Sequence, residues 1–300
     1  MLTRRAFLRL VGGTFLAGAA TSAYAVAIEP VWRLRVAEYA LRPVSWPNDL
    51  TLRIVALADF HFCVPWMTAG RLEGIVERAN LLQPDIIVLL GDYLSSMSYS
   101  LGPVPVADWS EALSRLRAPL GVHAILGNHD WWEDRDAQAA GGGETYVHRV
   151  LRDAGIDVYA NRAVRIEKDG SAFWLAGLED QLALRPAARH GRAGFVGLDD
   201  LPGTLAQVTD DRPVILLAHE PDIFPRVPDR VALTLSGHTH GGQVRLFGYS
   251  PVVPSAYGNR YAYGHVREGA RDIVISGGLG CSIAPVRFGS PPEITVINLG

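Results

Sequence analysis

The chain has 300 residues, of which 48% are hydrophobic and 20% charged, and its formal net charge is -3. These fractions are typical of a globular protein and exclude a disordered chain. No lysine and arginine block follows the first ten residues, which argues against a surface that neutralises nucleic-acid phosphates.

Residues 1–27 have the layout of an export signal. An arginine-rich start precedes an apolar run over residues 10–20, and Ala23 and Ala25 follow in an A-x-A arrangement. The start, TRRAFLR at residues 3–9, is similar to a twin-arginine signal. The apolar run is shorter than the roughly 20 residues of a membrane span, so export is the prediction and an uncleaved membrane anchor is the alternative. We expect the domain in the periplasm or on the outer face of the cytoplasmic membrane.

Residues 28–300 are expected to form a single catalytic domain, because no linker divides them. In the first half, apolar runs alternate with segments of helical periodicity. Polar residues follow each buried run, where ligands bind in open α/β sheets. The predicted strands are Trp32–Tyr39, Leu52–Ala58, Asp85–Leu90 and Val122–Leu126, and the predicted helices are Arg71–Leu82 and Trp109–Leu116.

The second half is richer in predicted strands. They comprise a hairpin of Arg162–Lys168 with Ala172–Leu178, and then Val214–Ala218, Ala232–Leu235, Tyr261–His265, Asp272–Ser276 and Ile294–Leu299. Two stretches, Gln138–Gly143 and Gln181–Phe195, are expected to be mobile surface loops. The predicted fold class is α/β, a four-layer sandwich of two mixed β-sheets flanked by helices.

Five short pieces carry potential metal ligands, each after an apolar run. Oxygen and imidazole donors together suit Mn, Fe or Zn. Glycine precedes several of these ligands and lets the backbone turn sharply close to an ion or a phosphate. The pieces are Asp59-Phe60-His61, Gly91-Asp92, Gly127-Asn128-His129-Asp130, His219 and Gly237-His238-Thr239-His240.

This pattern, D-x-H…G-D…G-N-H-[DE]…H…G-H-x-H, resembles that of the calcineurin-like metallophosphoesterase superfamily, from about Leu52 onward. The resemblance implies two divalent metal ions per chain and hydrolysis of a phosphoester. It implies that His129 protonates the leaving oxygen and that Asp130 orients His129. It implies a first metal held by Asp59, His61 and His240, a second held by Asn128, His219 and His238, and Asp92 as a bridge between the two.

The export signal and two later stretches are similar to a bacterial branch of this superfamily. The stretches are His240–Gln243 and the GLG…PVR…PEI segment within residues 278–294. Some members of that branch hydrolyse UDP-2,3-diacylglucosamine in lipid A synthesis. Such a UDP-linked substrate is expected in the cytoplasm, so an exported domain favours an envelope phospholipid or another periplasmic phosphodiester.

Several further residues have two interpretations each. Trp131 and Trp132 either line the substrate pocket or pack in the core. The stretch Phe60–Met67 either forms a lipid-facing patch or is tucked into the core. Arg287 either binds a substrate phosphate or makes a surface salt bridge. Cys63 and Cys281 are either bridged or free and buried.

The sequence therefore predicts a metallophosphoesterase, preferably a phosphodiesterase or pyrophosphatase, acting on a lipid-linked or envelope phosphoester. Its expected partners are that substrate and a membrane, with no nucleic acid. A phosphomonoesterase and the UDP-diacylglucosamine hydrolase are alternatives within the same chemistry. The non-enzyme alternatives are a metal-dependent scaffold, against which His129 and the complete ligand set argue, and a zinc-only binding protein, which would need neither Asn128 nor a bridging Asp92.

Overall fold

The computed structural model describes residues 3–191 and 193–300. It begins with a long apolar helix, α1 (Arg4–Ala23), capped by the Thr3 side chain, which accepts a hydrogen bond from the Ala6 amide. The helix continues through a π-helical turn, Tyr24–Ile28, into α2 (Glu29–Trp32). The first two residues of the expected signal lie outside the described part of the chain. The helical path therefore runs past residue 27, where the export signal was expected to end.

Six strands form the first sheet, in the order β1-β14-β2-β4-β6-β7. All neighbouring pairs are parallel except β14 with β2. The strands are β1 (Arg35–Leu41), β2 (Leu52–Leu57), β4 (Ile86–Leu90), β6 (Val122–Ile125), β7 (Asp157–Val158) and β14 (Glu293–Leu299).

Six strands also form the second sheet, in the order β12-β13-β11-β10-β9-β8. Its four central strands are parallel, and the edge strands β8 and β12 are antiparallel to their neighbours. The strands are β8 (Arg162–Lys168), β9 (Ser171–Gly177), β10 (Val214–Leu217), β11 (Val231–Ser236), β12 (Gly264–Glu268) and β13 (Arg271–Ile275). A small separate ladder pairs β3 (Cys63–Val64) with β5 (Gly102–Pro103).

The residues of strand β2 are almost all apolar because the strand is buried on both faces. Val55 and Leu57 pack in one core with the helices that cover the first sheet, whereas Ile54 and Ala56 pack in another core against the second sheet. Successive side chains of a strand point to opposite faces, so a strand buried on both faces is a nearly continuous apolar run.

Helices complete the outer layers. The first sheet is covered by α3 (Ala69–Leu81), α4 (Val106–Leu113) and α7 (Tyr146–Asp153). The second sheet is covered by α8 (Leu201–Leu205) and a 3-10 turn, Pro221–Arg226. The remaining short helices are α5 (Asn128–Trp132) and α6 (Arg135–Ala140). The fold is thus a four-layer α/β sandwich, as the sequence predicted.

Several segments differ from the sequence-based expectation. The predicted helix Trp109–Leu116 lies three residues earlier, at Val106–Leu113, and the predicted strand Trp32–Tyr39 begins only at Arg35, because Trp32 still belongs to α2. Residues 138–140 end helix α6 instead of starting a loop, because the Asp134 side chain caps that helix by accepting from the amides of Asp136 and Ala137. The strand expected at Tyr261–His265 lies three residues later, after a 3-10 turn. The expected loop at residues 181–195 contains Arg192, outside the described residues, but Leu184 pairs with Val196 and Ala183 belongs to the core.

Candidate metal centre

The predicted ligands lie at the carboxyl ends of strands from both sheets. Asp59 follows β2, Asp92 follows β4, Asn128 follows β6, His219 follows β10 and His238 follows β11. Hydrogen bonds join these ends across the sandwich. The Asp59 amide donates to the Gly91 carbonyl at 3.0 Å within the first sheet, and the His238 amide donates to Asp59 Oδ1 at 2.8 Å between the sheets. The two sheets therefore present their ligands to one shared gap.

Most of these ligands have an uncommon backbone conformation. A positive φ is rare for a residue other than glycine, and such strain concentrates at functional sites. Five of the predicted ligands have it: Asp59 (φ 55°), His61 (46°), Asp92 (57°), His238 (67°) and His240 (52°). The turns after the strands thus direct these side chains inward at a cost in backbone energy.

Two glycines permit the close approach of the loops. A Cβ atom on Gly91, whose φ is +93°, would lie 2.5 Å from the Gly127 amide nitrogen. A Cβ atom on Gly127 would lie 2.4 Å from Asp92 Oδ1. Any larger residue at either position would push apart the loops that carry Asp92 and Asn128.

The first cluster consists of Asp59, His61, Asp92 and His240, with ligand atoms all within 4.8 Å of one another. The Nε2 atoms of His61 and His240 are 3.0 Å apart. The Leu94 carbonyl lies 2.9 Å from His61 Nδ1 and so holds the proton there, which leaves the Nε2 lone pair for a cation. Asp59 Oδ2 is buried and has no hydrogen-bond partner among the described residues.

The second cluster consists of Asp92, His219 and His238, again within 4.8 Å, and Asn128 completes it. Asn128 Oδ1 lies 2.9 Å from His238 Nδ1. The Leu90 carbonyl engages His219 Nδ1 at 2.6 Å, so the buried Nε2 is the atom that faces the cluster, and this atom lies 3.2 Å from Asp92 Oδ2. Asp92 therefore belongs to both clusters, and Asp92 Oδ2 is also 3.5 Å from His61 Nε2.

The protonation of these side chains favours cations. Burial lowers the pKa of His61 to about 3 and holds the pKa of His240 well below its usual value, so both rings are neutral. Burial and the neighbouring Asp92 charge raise the pKa of the Asp59 carboxyl to about 7. Bound metal charge would reverse this destabilisation of the carboxylate. Burial would lower the pKa of His219, but the Asp92 carboxylate outweighs it and raises that pKa well above its usual value, so a proton occupies this position until a cation replaces it. The unpartnered Asp59 Oδ2 and the neutral rings of His61 and His240 fit a divalent ion.

His129 lies between the clusters and the open cleft. Its amide donates to Asp92 Oδ1 at 2.8 Å, and its ring stands edge-to-face against the His61 ring, with centroids 4.8 Å apart. The Ser96 hydroxyl lies 3.0 Å from His129 Nδ1. Burial lowers the pKa of His129. Ser96 was not singled out in the sequence, where a serine outside any motif carries no signal.

Asp130 does not have the role that the resemblance implied. Its carboxylate accepts four main-chain hydrogen bonds, from Gly127, Asp92, Tyr93 and Leu94, at 2.8–3.1 Å. It therefore holds together the two loops that carry Asp92 and Asn128. Ser96, and not Asp130, is the hydrogen-bond partner of the His129 ring.

The tryptophan pair is divided between the core and the cleft. Trp131 is fully buried, and its indole donates to Glu179 Oε2 at 3.2 Å, so its assignment as a substrate contact was wrong. Trp132 instead lines the cleft beside His129, with ring centroids 5.0 Å apart. In a one-turn helix, neighbouring residues point about 100° apart, so only one of two adjacent tryptophans faces the cleft.

Arg287 neither contacts a substrate nor makes a surface salt bridge. It is fully buried and donates to the carbonyls of Gly280 and Ser290, and its Nη2 lies 3.3 Å from His240 Nδ1. Ser290 Oγ in turn donates to the His240 carbonyl at 3.2 Å. The 280–290 segment thus supports the His240 turn from behind.

The predicted lipid-facing stretch is mostly core. Phe60, Phe62 and Met67 are buried among the side chains of helices α3 and α4. Cys63 and Cys281 are both buried and free. The apolar side chains that do reach the cleft come from elsewhere in the chain, chiefly Val252 and Ile283.

The cleft over the metal centre has two arms. One arm, of about 330 Å³, contains His129, His238 and His240 and is bordered by Val252 and Ile283. The other, of about 530 Å³, is bordered by polar side chains, and Trp132, His238 and Pro254 are common to both arms. The polar side chains are Gln181, Asp199, Glu220, Asp222 and Arg226.

The chain belongs to the calcineurin-like phosphoesterase family, whose profile matches residues 52–242, from strand β2 to just beyond His240. Two of the relatives are of comparable length. The chain is 33% identical to the uncharacterized metallophosphoesterase YkuE of Bacillus subtilis (strain 168), over 99% of this chain and 98% of the relative. It is 28% identical to the phosphodiesterase YaeI of Escherichia coli (strain K12) over the full length of both. A transmembrane protein with metallophosphoesterase domain from Danio rerio is 31% identical, over 84% of this chain and 54% of that protein.

Proposed function

We propose that this metallophosphoesterase is a phosphodiesterase or pyrophosphatase with two divalent metal ions, and that it acts on a lipid-linked or envelope phosphoester. The observation that carries the proposal is the pair of ligand clusters that share Asp92, with His129 beside them at the cleft. Asp59, His61 and His240 would hold one ion and Asn128, His219 and His238 the other.

Two such ions supply a nucleophile at neutral pH and neutralise charge on the phosphoryl oxygens. Side chains of the protein would then orient the ester and donate a proton to the leaving group. The Ser96 hydroxyl occupies His129 Nδ1, so we assign Nε2 as the atom that gives a proton to the leaving oxygen. Burial lowers the pKa of His129, and the nearby Asp92 carboxylate opposes this by favouring the protonated ring.

Two findings support a diester with an apolar part. The relative from Escherichia coli, which is similar over its full length, is named a phosphodiesterase. The metal-side arm of the cleft is bordered by the apolar side chains of Val252, Pro254 and Ile283. A phosphomonoesterase shares the metal chemistry and remains the second candidate, as does the hydrolase of UDP-2,3-diacylglucosamine.

The apolar N-terminal helix supports placing the domain on the outer face of the cytoplasmic membrane, after export through the twin-arginine signal. A helix of 29 residues, Arg4–Trp32, is long and apolar enough to cross a membrane. Protease added to intact spheroplasts would digest an external domain and leave an internal one untouched.

The activity is tested on the purified full chain in detergent. Hydrolysis of bis-p-nitrophenyl phosphate is compared with that of p-nitrophenyl phosphate after addition of Mn²⁺, Zn²⁺ or Fe²⁺, with EDTA as the control. We expect metal-restored hydrolysis that favours the diester. Preference for the monoester would favour the phosphatase, two bound metals without turnover would favour a scaffold, and a chain that binds no metal would contradict the proposal.

A further inference from the structure

The N-terminal helix has no protein neighbour over most of its length. None of the α1 residues is buried, although they include large apolar side chains such as Phe15 and Leu16. No charged residue occurs between Arg9 and Glu29. The 20 residues of α1 extend over roughly 30 Å, which matches the hydrocarbon core of a bilayer. A lipid bilayer is the surrounding that would cover this helix.

The C-terminal end of this helical segment, over residues 24–29, is fixed to the catalytic domain. The Ala25 carbonyl accepts from the Arg287 amide at 2.9 Å, and the Val26 carbonyl accepts from the Trp66 indole at 3.0 Å. The buried Glu29 side chain accepts from the Ser290 amide at 2.8 Å. Arg287 and Ser290 are also the residues that support His240. The direction in which the helix leaves the domain is therefore tied to the metal centre.

An apolar rim of exposed side chains lies next to this exit. It consists of Leu246, Phe247, Tyr249, Val252 and Ile283. Phe247 is fully exposed, and Ile283 and Val252 are 85% and 75% exposed. A soluble surface rarely groups large apolar side chains in this way, and such patches mark contacts with proteins or membranes.

The rim is joined to both the helix and the cleft. The Tyr24 ring stands edge-to-face on Phe288, whose carbonyl accepts from the Arg245 amide at 2.8 Å, one residue before the rim begins. Val252 and Ile283 of the rim also border the metal cleft. The exit of the helix, the rim and the mouth of the cleft therefore occupy one side of the domain.

We propose that the apolar rim docks on the phospholipid bilayer that α1 crosses, so that the metal cleft opens at the lipid headgroups. Trp32, the last residue of α2, is 78% exposed and is a residue type enriched where helices leave a membrane. A second copy of the chain could cover the rim, but it would leave α1 uncovered. This docking rests on the proposed function in one respect: it names the place where a lipid phosphoester would enter the cleft.

The test places a polarity-sensitive bimane label on the rim of the full chain, reconstituted into vesicles of phosphatidylethanolamine and phosphatidylglycerol. Phe247→Cys provides the site, and Tyr249→Cys provides a second one in case the first variant folds poorly. The native thiols, Cys63 and Cys281, are buried, and the unsubstituted chain checks that they take up no label. Leu81→Cys is the matched control, since Leu81 is also exposed but ends helix α3 shortly before strand β4 begins, on the side away from the ligand-bearing carboxyl ends.

We expect the rim labels to emit at shorter wavelength than the control and to be quenched several-fold more strongly by acyl chains brominated near the headgroup. Rim labels as accessible to water as the Leu81 control would overturn the proposal. A shift to shorter wavelength that grows with protein density, without quenching by the brominated lipids, would also overturn it. A second copy of the chain would then cover the rim. The label reports docking without turnover, so it distinguishes failure of docking from failure of the phosphodiesterase assignment.

Discussion

The two ligand clusters share Asp92 but are supported in different ways. Around the second cluster, Asn128 and the Asp130 carboxylate belong to the one-turn helix α5, and the Asp130 bonds are all to nearby main chain. The first cluster instead depends on His240, whose turn is supported by residues 280–290 and, through Ser290, by Glu29 at the end of the N-terminal helix. One metal position is thus built within the catalytic fold, and the other is connected to the membrane-side segment.

This difference has a consequence for the N-terminus. If the chain were cleaved after Ala25, as an A-x-A signal implies, the Ala25 carbonyl would leave with the signal and Glu29 would lie three residues from the new N-terminus. The first cluster would lose part of its support, whereas the second would keep all of it. These contacts persist in full only in the uncleaved anchor, which the sequence left as an alternative.

Asp92→Asn is expected to have the largest effect, because it removes the one carboxylate that both clusters share. The uncharged amide cannot hold two cations together, so hydrolysis should fall by about 10⁶-fold or more, to the uncatalysed level. Elemental analysis of the variant should give fewer than two metals per chain. Two tightly bound metals would show that Asp92 is not the bridge, and unchanged thermal unfolding of the metal-free chain would confirm that the fold is intact.

His129→Ala is expected to reduce turnover without removing either ion, since His129 belongs to neither cluster. The loss should be roughly 10²–10⁴-fold for an ester with a poor leaving group, the usual contribution of a general acid. It should be much smaller for p-nitrophenyl esters, whose leaving group needs no proton. An equal loss on both kinds of ester, measured with two metals bound, would argue for a positioning role instead.

Arg287→Lys is expected to separate the clusters, because among the predicted ligands in the described part of the chain the Arg287 side chain is hydrogen-bonded to His240 alone. Lysine keeps the charge but loses the planar fork that contacts the carbonyls of Gly280 and Ser290. Affinity for one of the two metals should fall by about 10–100-fold, the usual loss when a group behind a ligand is changed. Titration with a competing chelator would then show one weakened metal and one unchanged.

A matched control for this variant is Arg271→Lys. Arg271 also donates to main-chain carbonyls, those of Phe224 and Val227, but it begins strand β13, at the end of the second sheet opposite the ligand-bearing carboxyl ends. It should leave both metal affinities unchanged. Equal weakening of both metals in Arg287→Lys would show that the two clusters share their support after all.

The sequence predicted the parts of this molecule that are set locally. Each buried strand is a short apolar run, and each ligand follows such a run within a few residues, so the strands and the convergence of Asp59, Asp92 and His219 could be anticipated. Because parallel strands of one sheet end on the same side of it, their carboxyl ends and the ligands that follow them lie close together.

The parts that were missed depend on contacts distant in the chain. Arginine is usually a surface residue, and Arg287 is buried here because residues 280–290 pack behind His240. Glu29 is tied to the metal side through Ser290, which is 261 residues away. The partner of His129 is a serine 33 residues earlier in a loop without a motif. No periodicity or spacing rule reports such pairs.

Ser96→Ala gives the smallest predicted effect and sharpens the comparison of His129 with the clusters. Removing the hydroxyl takes away one hydrogen bond from the His129 ring, worth about 1 kcal/mol, or roughly a fivefold change in rate. Both metals should stay bound, because Ser96 contacts none of the predicted ligands among the described hydrogen bonds. The neighbouring Ser95→Ala is the control, since the Ser95 hydroxyl accepts from the Met97 amide and not from the His129 ring. A fivefold loss in Ser96→Ala alone, confined to esters with poor leaving groups, would place Ser96 in the proton transfer. Equal rates in the two variants would mean that the ring is held by His61 and Trp132 without it.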